Sequence, residues 1–597
     1  MDILLINSIY FSKENILPQI GSVNLYNKLS KTYEVEIINF DYLYYKGDIK
    51  FSNNMDDNIK MFAEYIMGYN PKLLLFYTIC ISYPITLKLA EIIKQQDKEI
   101  IIIFGGPQAT LTAIETISKY DFVDVIGIGE AENYIGDLVK AILSKQDLDA
   151  IEGIVFSKNG NIKYNKPSIL PQMDELESNT CFDYTKYLKC IENTGKNVKV
   201  MPFPIESGRG CPFSCTFCSS SVFFERKYRV KNYLDIIDEM IIFNRLYNIS
   251  YFSLNHDSFT VDYEYLMKFC SELINRDLNL EWSCSSRIDV LDKKILLRMK
   301  EAKCKSIYIG FESGSNLLQK KINKNLNVQK AVNLIKYAKS IGFNITVSFI
   351  YGFPEETMLD FYETIKVIET LMIMDIDNIQ LHKFFPLPQT IELKKITEFS
   401  FSPDDIDYSI YSKCIFNDNL NKIILEDEYI FSCFYTFDSE IRSTYKRMDI
   451  LISCFTIFKK IYKHTIKYLI KNVGLIRIFE TINKSLDDVY FILNNRTLND
   501  YANCKNEVET LYDLFTKITD HFINTNNSAE VNQIFSFENL LYKYSTNQIQ
   551  EDTIHIFKDN ILDVIKGSSE CLSEKNGIIK FSKINGETIA TKMKIFN

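Results

Sequence analysis

The chain has 597 residues, 46% of them hydrophobic and 24% charged, with a net charge of −9. That length holds three or four domains and a large buried core, and the composition is that of a globular protein rather than a disordered or fibrous one. No basic tract marks a nucleic-acid footprint, no apolar run approaches the ~18 residues of a membrane span, and no basic start leads into an apolar secretion signal.

Residues 1 to about 145 alternate short apolar runs with helical stretches. The runs are Ile3–Asn7, Glu34–Asn39, Leu73–Tyr77, Ile100–Phe104 and Val123–Gly127. Continuous aliphatic runs bounded by turn residues predict strands buried on both faces. Their alternation with helices predicts an α/β domain, a Rossmann-like doubly wound parallel sheet over residues 1–145. Residues 146–199 are irregular and read as a wrapping linker. Within it, Asn159-Gly160-Asn161 is the expected turn of a hairpin between Ile154–Phe156 and Ile162–Tyr164.

The alternation resumes over residues 200–395. Candidate strands begin near Pro204, Tyr251, Leu280, Ser306, Asn344 and Asn378, each followed by a helical stretch. Six βα units are too few to close an eight-stranded barrel, so an incomplete one is expected. Beyond residue 395 the character changes. Residues 445–485 and 500–525 read as amphipathic helices rich in Phe, Tyr, Leu and Ile, and the whole of 396–597 is expected to be mainly helical. No chemistry is legible in that region.

The chemistry concentrates after the first strand of the second domain. Cys211, Cys215 and Cys218 stand in C-x3-C-x2-C spacing, with Phe217 directly before the last. Three thiolates in so short a loop can hold three irons of a four-iron cluster and leave the fourth iron open. Structural zinc would call for paired cysteines or a nearby histidine. No second pair lies near, and the closest histidine in sequence is His256. The other eleven of the 14 cysteines are dispersed, as free thiols are in a reducing compartment, so a cytoplasmic location is expected.

This spacing resembles the signature of the radical S-adenosylmethionine (SAM) enzymes. In that family the open iron chelates the methionine end of SAM, and one electron cleaves its C–S bond to give a 5′-deoxyadenosyl radical. The resemblance implies a [4Fe-4S] cluster on Cys211, Cys215 and Cys218, SAM, and an external one-electron reductant such as a flavodoxin or ferredoxin. It also implies a partial (βα)6 TIM-type barrel for residues 200–395.

Further fragments fall in the family's order at the predicted strand ends. Asn255–Thr260 stands where the family has Asp-Asp/Asn-x-Phe-Thr; Asp257 matches, and His256 replaces one acid. His256 is expected to hydrogen-bond at the barrel mouth rather than to ligate a metal. Arg287 is suited to pair bidentately with a carboxylate. Gly310–Gly314 matches G-x-E-S-G and carries Glu312 and Ser313, with Glu312 suited to accept from an amine or from ribose hydroxyls. Phe349–Thr357 resembles a G-x-P-x-E-T turn in which Gly352 is expected to let the backbone approach adenine. Phe385–Thr390 resembles Pro-x-Pro-Gly-Thr, with Gln389 where glycine is usual. The resemblance thus assigns Phe217, Asp257, Arg287, Glu312, Ser313 and Gly352 to SAM.

In the first domain, Gly105-Gly106-Pro107-Gln108-Ala109-Thr110 follows the fourth strand and Gly127-Ile128-Gly129-Glu130 the fifth. These resemble the G-G-P-H-A-T and G-x-G-E segments of cobalamin-binding domains fused to radical enzymes. Strand ends at a switch in strand order form a crevice where large cofactors lie. The resemblance places Gly105, Gly106, Gln108, Thr110, Gly127, Gly129 and Glu130 around cobalamin there, joined by Ser82 and Tyr83 after the third strand. Domains of the methionine-synthase type supply a lower cobalt ligand from an Asp-x-His-x-x-Gly loop. This chain has no histidine before His256, and Gln108 stands at the histidine of the G-G-P-H-A-T segment. A lower face without histidine goes, in the family, with methyl transfer to a radical.

The expected function is a cobalamin-dependent C-methyltransferase acting on an unactivated carbon of a small molecule, lipid or peptide. Two readings stand beside it. One is an oxidative cyclase, ring-rearranging or lipid-modifying enzyme on the same architecture without methyl transfer. The other is an iron–sulfur redox or regulatory protein. The first domain is either a cobalamin carrier or a relic of one.

Overall fold

The computed structural model describes every residue except 168, 407–411, 504–506, 525–528, 547–552, 559–575, 585–586 and 594–597. The first sheet begins with five parallel strands: β1 (Ile3–Ile6), β2 (Val35–Ile38), β3 (Leu73–Tyr77), β4 (Ile101–Gly105) and β5 (Val125–Gly127), in the order β2-β1-β3-β4-β5. Consecutive residues along β1 and β3 are buried, because both faces are covered. The chain reverses its winding between β1 and β3, which makes the C-terminal ends of these strands a switch point.

The hairpin is where expected, but it is not part of a linker. β6 (Ile154–Lys158) and β7 (Asn161–Asn165) continue the first sheet, antiparallel beside β5. Ile154 and Val155 are fully buried there, so the hairpin completes the core of the first domain instead of wrapping outside it.

The second sheet is entirely parallel: β8 (Phe203–Glu206), then β11 (Tyr251–Asn255), β12 (Glu281–Ser286), β13 (Cys304–Glu312), β14 (Asn344–Tyr351) and β15 (Asn378–Lys383), side by side in that order. Between β8 and β11 in sequence, the short β9 (Gly208–Arg209) and β10 (Arg229–Val230) pair with each other. β8 and β15 do not pair, so the barrel is incomplete, as the six-unit pattern predicts.

The free edge of β15 is covered by the helix Met448–Phe458. Thr456 donates to the Ile379 carbonyl at 3.0 Å, and the hydroxyl of Tyr351 donates to Asp449 at 3.1 Å. Covering an edge satisfies its backbone and blocks pairing with other chains. The remaining C-terminal helices include Leu475–Asn494, which buries Leu475, Ile478, Phe479, Ile482, Leu486 and Val489 at three- and four-residue spacing.

The region is not helical to its end. β16 (Thr553–Lys558), β17 (Asn576–Ile584) and β18 (Glu587–Met593) form an antiparallel sheet. Among the described residues no helix is long and apolar enough to cross a membrane.

Candidate functional site

The C-terminal ends of the two parallel sheets face one chamber of about 1180 Å³. Ordinary ligand pockets hold roughly 300–1,000 Å³, so the chamber has room for more than one molecule. Its walls carry Tyr10, Gln19, Gly21 and Tyr77 from the switch point of the first sheet, and Cys211, Cys215 and Cys218 from the second domain.

The cysteine loop is held by its neighbours rather than by regular structure. The Gly210 N–H donates to Asp257 at 3.0 Å, and the Thr216 N–H to the Ile322 carbonyl at 3.0 Å. The Thr216 hydroxyl donates to buried Glu392 at 2.5 Å. Gly210 has φ +81, and a Cβ there would lie 2.1 Å from the Lys227 carbonyl oxygen, so only glycine fits.

Burial pushes all three thiols up, Cys211 to about 11. At Cys215 burial is opposed by the positive charges of Lys324 and Arg287. Iron binds the thiolate, so loading a cluster releases protons, and the two cations favour that release at Cys215. Among the described residues no three His, Cys, Asp or Glu side chains converge on a single metal ion. Three thiols on one chamber wall, with cations behind them, fit an anionic multi-iron cluster.

Of the residues assigned to SAM, Phe217, Asp257, Arg287 and Glu312 line the chamber. Glu312 holds a left-handed backbone at φ 68 and is 7% exposed. Its carboxylate is paired with Lys324 at 2.7 Å. Strain of this kind at a non-glycine residue persists only where the surroundings over-determine it, and it clusters at functional sites.

Arg287 has the bidentate carboxylate expected of it, but that partner is its own neighbour Asp289, at 3.1 and 2.8 Å. It also donates to the Lys324 carbonyl, stacks 3.9 Å from the centre of the Phe213 ring and lies 3.4 Å from the Cys215 sulfur. Arg287 therefore braces the cysteine loop.

Two of the SAM assignments are not on the chamber wall. Ser313 is fully buried, hydrogen-bonded to Thr364 at 3.1 Å and accepting from the Ser315 N–H. Gly352 does need its φ of +78, but what approaches it is the Arg442 side chain, 2.8 Å from where a Cβ would be. Arg442 comes from the C-terminal region and donates to the Phe384 carbonyl at 2.5 Å, so it ties the ends of β14 and β15 together.

His256 hydrogen-bonds at the mouth, as expected. Its Nδ1 accepts from the Ser258 N–H at 2.9 Å, and its Nε2 lies 3.3 Å from the Arg229 carbonyl. Burial lowers its pKa to about 4, so the ring is neutral at pH 7 and Nε2 is the donor.

On the first sheet, Gly105, Gly106, Gly127, Gly129 and Glu130 line the chamber. A Cβ at Gly105 or Gly129 would meet nothing within 4 Å, so the bare backbone at both strand ends faces open space. Asn7, at the end of β1, is 3% exposed with neither side-chain polar atom hydrogen-bonded. An open glycine cradle beside a switch point fits a large planar group such as a corrinoid.

Four neighbours expected there point elsewhere. Tyr83 is fully buried, with its hydroxyl 3.0 Å from that of Thr116 and its ring against Phe104 and Phe431. Ser82 is buried beside it, off the chamber wall. Gln108 donates to the Ile430 carbonyl at 2.7 Å, away from the chamber. Thr110 accepts from the Gly129 N–H at 3.0 Å and links the two glycine loops. Aromatic and amide side chains here serve packing against the C-terminal region, whose position no local sequence signal gives.

A buried ion network joins the two domains at the chamber floor, and no motif pointed to it. Arg209 binds Glu130 at 2.5 Å, Glu132 at 2.6 Å and Glu206 at 2.8 Å, and Arg229 also pairs with Glu130. Burial acts to raise the Glu206 carboxyl, but Arg209 and a hydrogen bond from Asn24 outweigh it, so its pKa is lowered. Glu130 is thus a seam residue as much as a lining one. Lys324 was equally silent in the sequence.

Residues 205–368 match the model of the Radical SAM superfamily. The chain is 29% identical to an uncharacterized methyltransferase of Pyrococcus horikoshii over 62% of this chain and 77% of that protein. It is 27% identical to an anaerobic magnesium-protoporphyrin IX monomethyl ester cyclase of Rubrivivax gelatinosus, spanning 46% of this chain and half of that one.

Two solved structures share the fold at low identity. The cobalamin-dependent radical enzyme OxsB, with aqua-cobalamin and SAM bound, aligns over 96% of this chain and 82% of its own with a TM-score of 0.54 and 16% identity. The radical SAM methyltransferase TsrM of Kitasatospora setae, with cobalamin and a [4Fe-4S] cluster, aligns over 66% of this chain and 75% of its own, with a TM-score of 0.53 and 15% identity.

Proposed function

We propose that this chain, a radical SAM enzyme, is a cobalamin-dependent C-methyltransferase. The observation that carries the reading is the shared chamber: the three thiols and the open glycine cradle of the first sheet line one cavity. A cluster site and a corrinoid site that open on a common space are what joining their chemistries at one substrate carbon requires. The relatives add weight, since the Pyrococcus protein is named a methyltransferase and both solved structures bind cobalamin.

When bound, the cluster with SAM supplies one-electron chemistry at an unactivated carbon, and the corrinoid supplies the methyl group. The chain's own residues do the rest. Cys211, Cys215 and Cys218 hold iron, and Lys324 and Arg287 favour the Cys215 thiolate. Glu312 and Asp257 present carboxylates at the barrel mouth for the polar end of SAM. Gly105 and Gly129 admit the corrinoid edge, and apolar walls such as Leu75 and Phe76 keep water from the reacting carbon. The electron comes from an external reductant, and the acceptor is a small molecule or peptide.

The test is anaerobic. The reconstituted protein with reductant and SAM should form 5′-deoxyadenosine, and Cys215→Ala should form none. Full deoxyadenosine production by that variant would refute the cluster assignment. Incubation with hydroxocobalamin should leave a corrinoid absorption spectrum on the protein after gel filtration; its absence would make the first domain a relic. The cyclase relatives favour one rival, ring formation without methyl transfer. A product heavier by one methylene per turnover speaks against it, and a product lighter by hydrogen speaks for it.

A further inference from the structure

The inner face of the second sheet is built from hydroxyls. Side chains alternate across a strand, and in β12 and β15 every second residue is buried. Phe252, Trp282, Ile307, Val347 and Leu381 form the buried outer face. The inner face carries Ser253, Ser283, Ser285, Ser306, Thr346 and Ser348.

Register sets these side by side. Pro204, Ser253, Ser283 and Ser306 make one row; Ser285, Tyr308 and Thr346 make the next; and Gly310, Ser348 and Gln380 make a third. In a closed eight-stranded barrel such rows are filled by bulky branched residues and pack solid. Serine leaves that volume empty. Tyr308 is accordingly 40% exposed although it lies mid-strand, and Ser253, Ser285, Tyr308 and Gly310 line the chamber. The inner face is therefore a trough continuous with the proposed reaction chamber.

Its polarity is uncharged. The carboxylates and cations beside it each have a partner in the chain: Glu281 pairs with Lys305, Glu312 with Lys324, Glu206 with Arg209 and Asp289 with Arg287, and Asp257 accepts from the Gly210 N–H. What remains are groups that both donate and accept. Tyr308 donates to Gln380 at 3.2 Å, Tyr251 to Ser306 at 3.1 Å and Ser253 to Asn255 at 3.3 Å, and each serine hydroxyl keeps further hydrogen-bonding capacity. A hydrocarbon chain in the trough would displace water and leave these hydroxyls unpaired. A group with its own alternating hydroxyls would pair them.

We propose that the trough receives an uncharged polyhydroxylated part of the acceptor substrate, a sugar- or polyol-like group, and excludes an alkyl chain. The proposal rests on the methyltransferase reading for calling this molecule the acceptor, but the binding it claims is testable alone. The ribose of SAM has the same chemistry, so the test separates the two sources.

Saturation-transfer NMR on the anaerobic reconstituted protein, with S-adenosylhomocysteine saturating, uses methyl β-D-glucopyranoside and 1-octanol as probes. Transfer to the glucoside ring protons, stronger than to octanol, is expected. It should fall about tenfold in Ser253→Leu with Ser285→Leu, two chamber-lining positions whose enlargement fills the trough, and about threefold in Ser253→Ala with Ser285→Ala, which keeps the space and removes the hydroxyls.

Transfer to octanol at equal or greater strength overturns the proposal, as does transfer to neither probe. Glucoside transfer that disappears with S-adenosylhomocysteine assigns the chemistry to the SAM ribose and also overturns it. If the leucine pair does not fold, the wild-type and alanine measurements decide. Deoxyadenosine formation by the wild type, measured in parallel, reports separately on the functional reading.

Discussion

The parallel strands of the two large sheets of this protein use different amino acids because they have different faces to cover. In the first, β1 and β3 bury consecutive residues, Ile3 to Ile6 and Leu73 to Phe76, since helices lie on both sides. In the second, β12 and β15 bury alternate residues, one face on helices and the other toward the lumen. A continuous apolar run therefore marks a sheet that supports a site only at its ends. An alternating run marks a sheet whose whole face belongs to the site.

The seam between the sheets is where the comparison breaks hardest. Arg209→Met leaves Glu130, Glu132 and Glu206 buried around a missing cation, and should destabilise the protein by about 3–5 kcal/mol. Urea unfolding measures this, and an unchanged midpoint would mean that water compensates the seam. In the first sheet, Ile102→Ala at a fully buried strand position should cost about 2–5 kcal/mol in the same assay.

The seam also sets a pH dependence. Glu206 is held below its ordinary value of 4.5, so it stabilises the fold above that pH, and its contribution is lost as pH falls through the lower folded value. In Arg209→Met the sign inverts, because burial alone raises the carboxyl and protonation relieves it. The stability gap between wild type and variant should therefore narrow as the solution is acidified below about pH 4.5, and a widening gap would contradict the assignment.

The smallest effect belongs to the trough. Ser283→Ala, on the inner face of β12, should change stability by no more than about 0.5 kcal/mol. A loss comparable to that of Ile102→Ala would show a packed core where an open lumen is described.

Much of this architecture was legible in the chain. The onsets near Pro204, Tyr251, Leu280, Ser306, Asn344 and Asn378 fall within a few residues of the observed strands, because each apolar run is bounded by its own turn residues. The hairpin turn at Asn159-Gly160-Asn161 was equally local. Its membership of the first sheet was not, since pairing with β5 is decided by where the chain returns. The three strands near the C-terminus went unseen because the helical pattern before them dominates the composition.

At the site the division is similar. The cysteines and the glycine loops announce themselves by spacing. Arg209 lies 79 residues from Glu130, and nothing near either residue names the other. Gln108 follows the glycine pair Gly105-Gly106 and Tyr83 follows the end of the third strand, yet they turn toward Ile430 and Phe431, which lie more than 300 residues later in the chain.

The sequence by itself determined the cysteine loop, the strand inventory of both parallel sheets and the absence of a histidine from the first domain. Those features act through neighbours in the chain, and turn chemistry and side-chain period express them locally. Tertiary structure alone decided that both sets of strand ends share one chamber, that Arg287 and Arg442 brace loops, and that the hydroxyl rows face an open lumen. Such outcomes depend on which distant surfaces exclude water from each other, and burial is a property of the folded whole.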